Sequence, residues 1–195
     1  MKNNKGFTLI ELAVVLAIIA VLAAVLTPVV TGYLEQARLS RAQADVRTIA
    51  DAIKLYHADT GVWPFFDSAA YAATGSTVAD GTKIMIAGTG GTAISSETAT
   101  TANTSLETYL NTNVMTRSTT AGGGRTRFAG PYLGNVDGDP WNNKYYVDAG
   151  NLATSSTYWA FVFSVGPDGA LDTSKTQAKT GAFAVGDDDI AAAIH

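Results

Sequence analysis

The chain has 195 residues, of which 47% are hydrophobic and 15% are charged, so it can bury an ordinary core and is not expected to be disordered. Its net charge of -4 argues against nucleic acid as the main partner, because phosphate binding needs a concentrated basic surface. The lack of cysteine excludes disulfides, thiolate metal sites and thiol nucleophiles.

The first thirty residues combine a short basic segment with a long apolar run. Lys2 and Lys5 precede residues 7–30, which contain a single acid, Glu11. A helix of about 20 apolar residues spans a bilayer, so residues 7–30 are predicted to cross a membrane. The basic residues in front of it place the N-terminus in the cytoplasm and the remainder outside. The run exceeds the roughly 7–15 apolar residues of a secretory signal, so we expect it to be retained.

The carboxylate within this run needs an explanation. Placing an acid in the middle of a membrane helix costs about 2.5–3.5 kcal/mol, so such residues are usually paired or functional. The alternative is that Glu11 lies near the membrane face and is merely tolerated.

Residues 5–11, with the sequence KGFTLIE, resemble the cleavage and methylation motif of type IV prepilins and type II secretion pseudopilins. The resemblance implies that residues 1–6 are a leader, that a prepilin peptidase cuts between Gly6 and Phe7, and that Phe7 is then N-methylated. It also implies that Glu11 pairs with the new amine of a neighbouring subunit. Such a pair gives assembly its polarity and register, because removing either partner leaves the other charge buried alone.

An amphipathic pattern continues the helix beyond the apolar run. Residues 46–56 place apolar side chains at steps of three and four, with charged residues largely between them. Residues 31–60 are therefore predicted to extend the same helix, which Gly61 ends. Pro28 and Gly32 are expected to kink the helix or melt it locally.

Residues 67–127 are rich in Thr, Ala, Ser and Gly and are predicted to form a variable insertion of long loops. A short helix is predicted at residues 105–110. The glycines at 88–91 are interpreted as a turn, because the Gly-Lys-Ser/Thr of a phosphate-binding loop is missing. The support for DNA binding is a basic cluster in this insertion, which comprises Arg117, Arg125 and Arg127.

Residues 61–195 as a whole are predicted to be a globular head, whose β-sheet and acidic loop lie in residues 130–195. Aromatic and β-branched runs at 144–147 and 158–163 predict antiparallel strands. Trp63 is expected to anchor the start of the head against the helix. The predicted fold class is α+β, with a long helix, half in the membrane and half amphipathic, packed on a small antiparallel sheet with long loops.

The C-terminal half resembles the major pseudopilin of type II secretion in the order of four motifs, GPYL (130–133), DPW (139–141), SVGPDG (164–169) and DDDI (187–190). In that subfamily the loop between the last two motifs folds around calcium. The resemblance implies Ca²⁺ held by Asp168, Asp187, Asp188 and Asp189, with the carbonyl of Val165 as a further ligand. Calcium takes six to eight oxygen ligands, which agrees with this set. The alternative is that these aspartates form turns and a solvated acidic tail.

The sequence thus predicts a structural subunit of a pilus or pseudopilus, closest to the major pseudopilin but with an enlarged head. The alternatives are a type IV major pilin for adhesion or motility and a DNA-binding minor pilin. The resemblance implies partners: other copies of the chain, the bacterial inner membrane, the peptidase, an assembly platform and its ATPase. No enzymatic activity is expected, because His57, interpreted as packing or capping, and His195 lie in no hydrolase or metal-ligand spacing.

Overall fold

The computed structural model describes residues 7–61, 63–64, 84–87, 106–111, 128–148, 150–152 and 156–194. The chain divides into two compact units, residues 1–39 and residues 40–195. The predicted leader, the glycines at 88–91, the three arginines of the insertion and His195 lie outside the described residues.

A single α-helix, α1, runs over Leu9–Thr60 and comprises 52 residues. This confirms the predicted continuation of the apolar segment into an amphipathic one. The helix is unbroken through Pro28 and Gly32, so the local melting expected at these residues is not found. A proline removes one backbone hydrogen bond, and the bonds of the neighbouring turns remain to hold the helix together.

Within the second unit, one stripe of α1 is buried at steps of three and four residues, as the sequence predicts. The fully buried large side chains of this stripe include Val46, Ile49, Ile53 and Tyr56. They belong to one apolar cluster that also contains Val147 and Val162 of the β-sheet. Residues 40–60 of α1 therefore pack their apolar stripe against one face of the sheet.

The sheet has four antiparallel strands in sequential order, β1 Ile84–Ala87, β2 Tyr145–Asp148, β3 Phe161–Ser164 and β4 Ile190–Ala193. A short helix, α2, covers Leu106–Asn111, and a turn of 3₁₀-helix covers Gly150–Leu152. The predicted helix at 105–110 and the predicted strands at 144–147 and 158–163 are confirmed with small shifts of their bounds. The fold is α+β, in agreement with the sequence.

Two of the four strands are absent from the sequence-based prediction. The strand β4 consists of one isoleucine and three alanines, and alanine has a low intrinsic preference for strands. Its pairing partners fix it, because Phe161 lies opposite Ala193 and Ser164 lies opposite Ile190. The strand β1 lies in the predicted loop insertion and pairs with the whole of β2.

Both faces of the two central strands are buried. On β2 and β3, Tyr145, Val147 and Val162 face the core shared with α1. Tyr146 and Phe163 lie opposite each other in the register, and their rings are 5.3 Å apart in a second cluster on the other face. Side chains alternate between the faces of a strand, so each strand contributes to both cores.

The C-terminal loop, residues 165–189, supplies the cover for this second face. Val165 is fully buried there, and Leu171 and Phe183 pack against the same cluster. The loop also folds on itself, because the side-chain amide of Gln177 donates to the carbonyl of Ala184 at 2.7 Å and accepts from its N–H at 2.7 Å. The loop thus closes a second core on this face of the sheet.

Trp63 and His57 pack as the sequence predicts. Their rings are stacked, with centroids 3.8 Å apart and an angle of 7° between the planes. Trp63 is 9% exposed, so it anchors the chain against the last turn of α1.

Two tyrosines of the head donate hydrogen bonds to acids of α1. The hydroxyl of Tyr145 lies 2.7 Å from Asp45 Oδ2, and that of Tyr132 lies 2.9 Å from Asp59 Oδ2. Burial, with the neighbouring carboxylate of Asp45, raises the pKa of Tyr145 far above its usual value of 10. These bonds fix the position of the helix on the sheet more specifically than apolar contacts can.

We expect Tyr145→Phe to lower the free energy of unfolding by about 1.5–3 kcal/mol, because a hydrogen bond to a charged group is lost. The wild-type chain should also lose stability above about pH 10, since the unfolded phenol ionises there while the folded one keeps its proton. Urea titrations in detergent micelles, followed by tryptophan fluorescence at pH 7 and pH 10.5, measure both effects.

The matched control is Tyr158→Phe, because Tyr158 is 40% exposed. It should leave stability unchanged at both pH values. An equal alkaline loss in the wild type and in Tyr145→Phe would contradict the assignment of that loss to Tyr145.

Candidate functional site

The start of α1 is fixed by a reciprocal cap between Thr8 and Glu11. The N–H and the hydroxyl of Thr8 each donate to Glu11 Oε2 at 2.8 Å, and the N–H of Glu11 points back to Thr8 Oγ1 at 3.4 Å. This arrangement is a capping box, which satisfies backbone donors that the first helical turn leaves free. Glu11 therefore makes its hydrogen bonds within its own chain. It lies four residues after Phe7, which precedes the helix.

Every residue from 7 to 34 is exposed in the single chain, although most of these residues are apolar. Among the described residues, α1 is long and apolar enough to cross a membrane. Exposed apolar surface of this extent needs lipid or other protein to cover it. The large exposed side chains include Leu12, Leu16, Ile19, Leu22 and Leu26.

We expect Thr8→Val, which keeps the shape of the side chain but removes its oxygen, to fray the first turn of α1. Loss of an N-cap costs about 1 kcal/mol, which corresponds to roughly fivefold faster amide exchange at Glu11 and Leu12. Hydrogen–deuterium exchange of the full chain in micelles measures this. Thr8→Ser keeps the oxygen and is the control; identical exchange in the two variants would show that the cap does not hold this turn.

Three acids of the C-terminal loop converge on one point. The carboxylates of Asp168, Asp172 and Asp188 each place an oxygen within 4.8 Å of the others. Asp168 and Asp172 are exposed, whereas Asp188 is half-buried and has its Oδ1 buried without a hydrogen-bond partner among the described residues. Such a group of like charges is repulsive unless a proton or a cation compensates it.

Asp189, which the sequence assigns to the metal site, is not one of these three carboxylates. It is 6% exposed, and its Oδ2 accepts the N–H groups of Asp172 at 2.9 Å and Thr173 at 2.5 Å. Burial raises the pKa of its carboxyl above the usual value. Its Oδ1 is buried and has no hydrogen-bond partner within the described parts of the chain. Asp189 thus ties the strand β4 to the segment that carries Asp172.

Asp187 is exposed and lies outside the group of three carboxylates. Its φ of 23° is in the left-handed region, in which aspartate and asparagine are the more tolerated side chains. The structure therefore brings together two of the four acids that the sequence assigns to a metal, Asp168 and Asp188. It adds a third, Asp172.

The sequence contains a signal for Asp172 that the motif comparison misses. Between residues 166 and 186 the chain has two acids, Asp168 and Asp172. A loop that closes around a cation can draw on both, because flexible loops supply ligands from positions several residues apart.

The oxygen set fits a hard cation in size and chemistry. Calcium–oxygen distances of about 2.3–2.6 Å place two ligand atoms on opposite sides of the ion about 5 Å apart. The carboxylate oxygens here lie within 4.8 Å of one another, and one buried oxygen of Asp188 lacks a donor among the described residues. Within the described parts of the chain this group consists of carboxylates alone, a ligand type that suits calcium and magnesium better than zinc and other softer metals.

Comparison with protein-family models matches residues 1–27 to the prokaryotic N-terminal methylation motif. No curated protein and no solved structure matches the chain. The match supports a type IV pilin-like structural protein that a prepilin peptidase processes, and the family of this motif is structural rather than enzymatic. With the apolar helix, it is consistent with a pilin anchored in the inner membrane.

Proposed function

We propose that the chain polymerises into a filament through the apolar half of α1 after the bond between Gly6 and Phe7 is cut. The observation that carries this proposal is the long apolar surface of residues 7–34, exposed in the single chain and capped at its start by Glu11. In the membrane, lipid covers this surface; in a filament, the helices of other copies cover it. Glu11 lies in the first turn of α1, four residues after Phe7, whose amine the proposed cleavage would create.

In this proposal the uncut chain spans the inner membrane once, with its N-terminus in the cytoplasm. An assembly platform and its cytoplasmic ATPase would extract the cut subunit into the filament. Pairing of Glu11 with the Phe7 amine of a neighbour replaces the bonds that Glu11 makes to Thr8 in the isolated subunit. A buried ion pair of this kind specifies register more than it adds stability.

We expect Glu11→Ala to abolish filaments, because the buried amine of the neighbour would have no counter-charge. The full chain would be expressed with a prepilin peptidase and an assembly system, and sheared filaments would be counted by electron microscopy. Mass spectrometry of the wild-type subunit should show a chain that begins at Phe7 and carries one added methyl group.

Glu35→Ala is the matched control, because Glu35 lies on the same helix and pairs with Arg38 at its surface, 3.3 Å away. This variant should assemble normally. Normal filaments from Glu11→Ala, or an N-terminus that remains uncut in the presence of the peptidase, would contradict the proposal.

We further propose that the C-terminal loop binds calcium, as in the major pseudopilin of type II secretion. The cation would be held by Asp168, Asp172 and Asp188, and it would neutralise three carboxylates that otherwise repel one another. The sequence-based set contains Asp187 and Asp189 and lacks Asp172. Substitutions at these three residues therefore distinguish the two ligand sets. A calcium-dependent head favours a pseudopilin, whereas its absence favours an ordinary pilus subunit.

Calcium should raise the thermal unfolding midpoint of the full chain in micelles, because a ligand of the folded state stabilises it by about 2.7 kcal/mol at one hundred times its Kd. Tryptophan fluorescence would be followed with calcium and with excess chelator. Asp168→Asn and Asp172→Asn should abolish the rise, and Asp187→Asn should leave it intact.

Asp137→Asn is the control for a general charge effect, because Asp137 is exposed and lies outside the cluster. Loss of the rise in Asp187→Asn but not in Asp172→Asn would favour the sequence-based ligand set. An identical midpoint with calcium and with chelator would contradict the proposed calcium site.

A further inference from the structure

The loop at residues 139–143 holds Gly166 through both of its peptide groups. The side-chain amide of Asn143 donates to the Gly166 carbonyl at 2.8 Å. The N–H of Gly166 donates to Ser164 Oγ at 3.3 Å, and that hydroxyl donates to Asp139 Oδ2 at 2.6 Å. Gly166 thus has its position fixed from a loop more than twenty residues earlier in the chain.

This loop is itself closed by hydrogen bonds. Asp139, 4% exposed, accepts the N–H groups of Trp141 at 3.0 Å and Asn143 at 2.7 Å on its Oδ1. Its own N–H donates to the carbonyl of Asn143 at 2.8 Å. A buried carboxylate with both oxygens satisfied is a rigid support, because moving it would strand a charge.

Gly166 in turn allows Asp188 to pack closely against the turn. Its φ is 66°, and a Cβ at this position would collide with the backbone carbonyl of Asp188 and lie 2.8 Å from its Oδ2. Two residues further on, the N–H of Asp168 donates to the same Oδ2 at 3.2 Å. The turn at 166–168 therefore aims the half-buried carboxylate of Asp188 toward the other two acids.

We infer that Asn143, together with the pair Asp139 and Ser164, positions the acidic cluster and sets its affinity for a cation without touching the ion. The inference rests on the calcium binding proposed above. Groups that orient metal ligands typically change metal affinity by about 10- to 100-fold when they are removed. Asn143 is the residue to test, because it reaches Gly166 with one side-chain bond and carries no charge of its own.

The experiment is a calcium titration of the thermal midpoint for the full chain in micelles, with Asn143→Ala and the control Asn135→Ala. Asn135 is exposed and makes no contact with the turn among those described. We expect the half-saturating calcium concentration to rise about tenfold or more in Asn143→Ala and to stay unchanged in Asn135→Ala. Hydrogen–deuterium exchange at the Asp168 amide, measured in chelator, should be faster in Asn143→Ala.

A purely structural role predicts a different result: Asn143→Ala would lower the midpoint equally at all calcium concentrations, with half-saturation unchanged. That outcome would overturn the inference and leave the calcium site intact. Should the alanine variant not fold, Asn143→Leu provides the same test, because it keeps a similar side-chain shape and removes the donor without adding a charge. If the wild-type midpoint does not respond to calcium, both the site and this inference are wrong.

Discussion

The burial of the central strands on both faces is the constraint on which the head depends. An antiparallel sheet can leave one face in water, but here β2 and β3 have buried apolar or aromatic side chains on both faces. The amphipathic part of α1 covers one face, so the other requires a second layer. No second long helix is described in the head, and residues 165–189 supply that layer as an irregular loop.

An irregular layer has few backbone bonds of its own, so it must be held by specific side chains. Gln177 bonds to the backbone of Ala184 as a strand partner would, and Asp189 accepts two N–H groups at the other end of the loop. This anchor places the carboxylate of Asp189 almost fully out of water, and its burial raises its pKa. Anchoring the loop in this way gathers acids on one side of it, and a cation there would stabilise the same layer that closes the second core.

The apolar side chains of α1 are exposed in the first unit of the chain and buried in the second. In residues 40–60 of α1 the apolar stripe is buried against the sheet, whereas in residues 7–34 every side chain is exposed. The first pattern is that of a folded domain, and the second is complete only with lipid or other subunits around it. The cap of Thr8 and Glu11 lies at the N-terminal end of this second surface.

Local patterns in the sequence determined the long helix, the short helix α2 and the strands β2 and β3, because hydrophobic periodicity and residue preference act within a few positions. The same locality allowed residues 1–27 to identify a processing motif. Tertiary structure alone decided that Ile190 and three alanines form a strand, since their pairing with β3 spans more than twenty residues of chain. It also decided that Asp172 joins Asp168 and Asp188 while Asp189 serves as an anchor, because runs of adjacent aspartates do not reveal which side chains face one another. The support that Asn143 gives to Gly166 has the same origin, a contact between segments that only the folded sheet brings together.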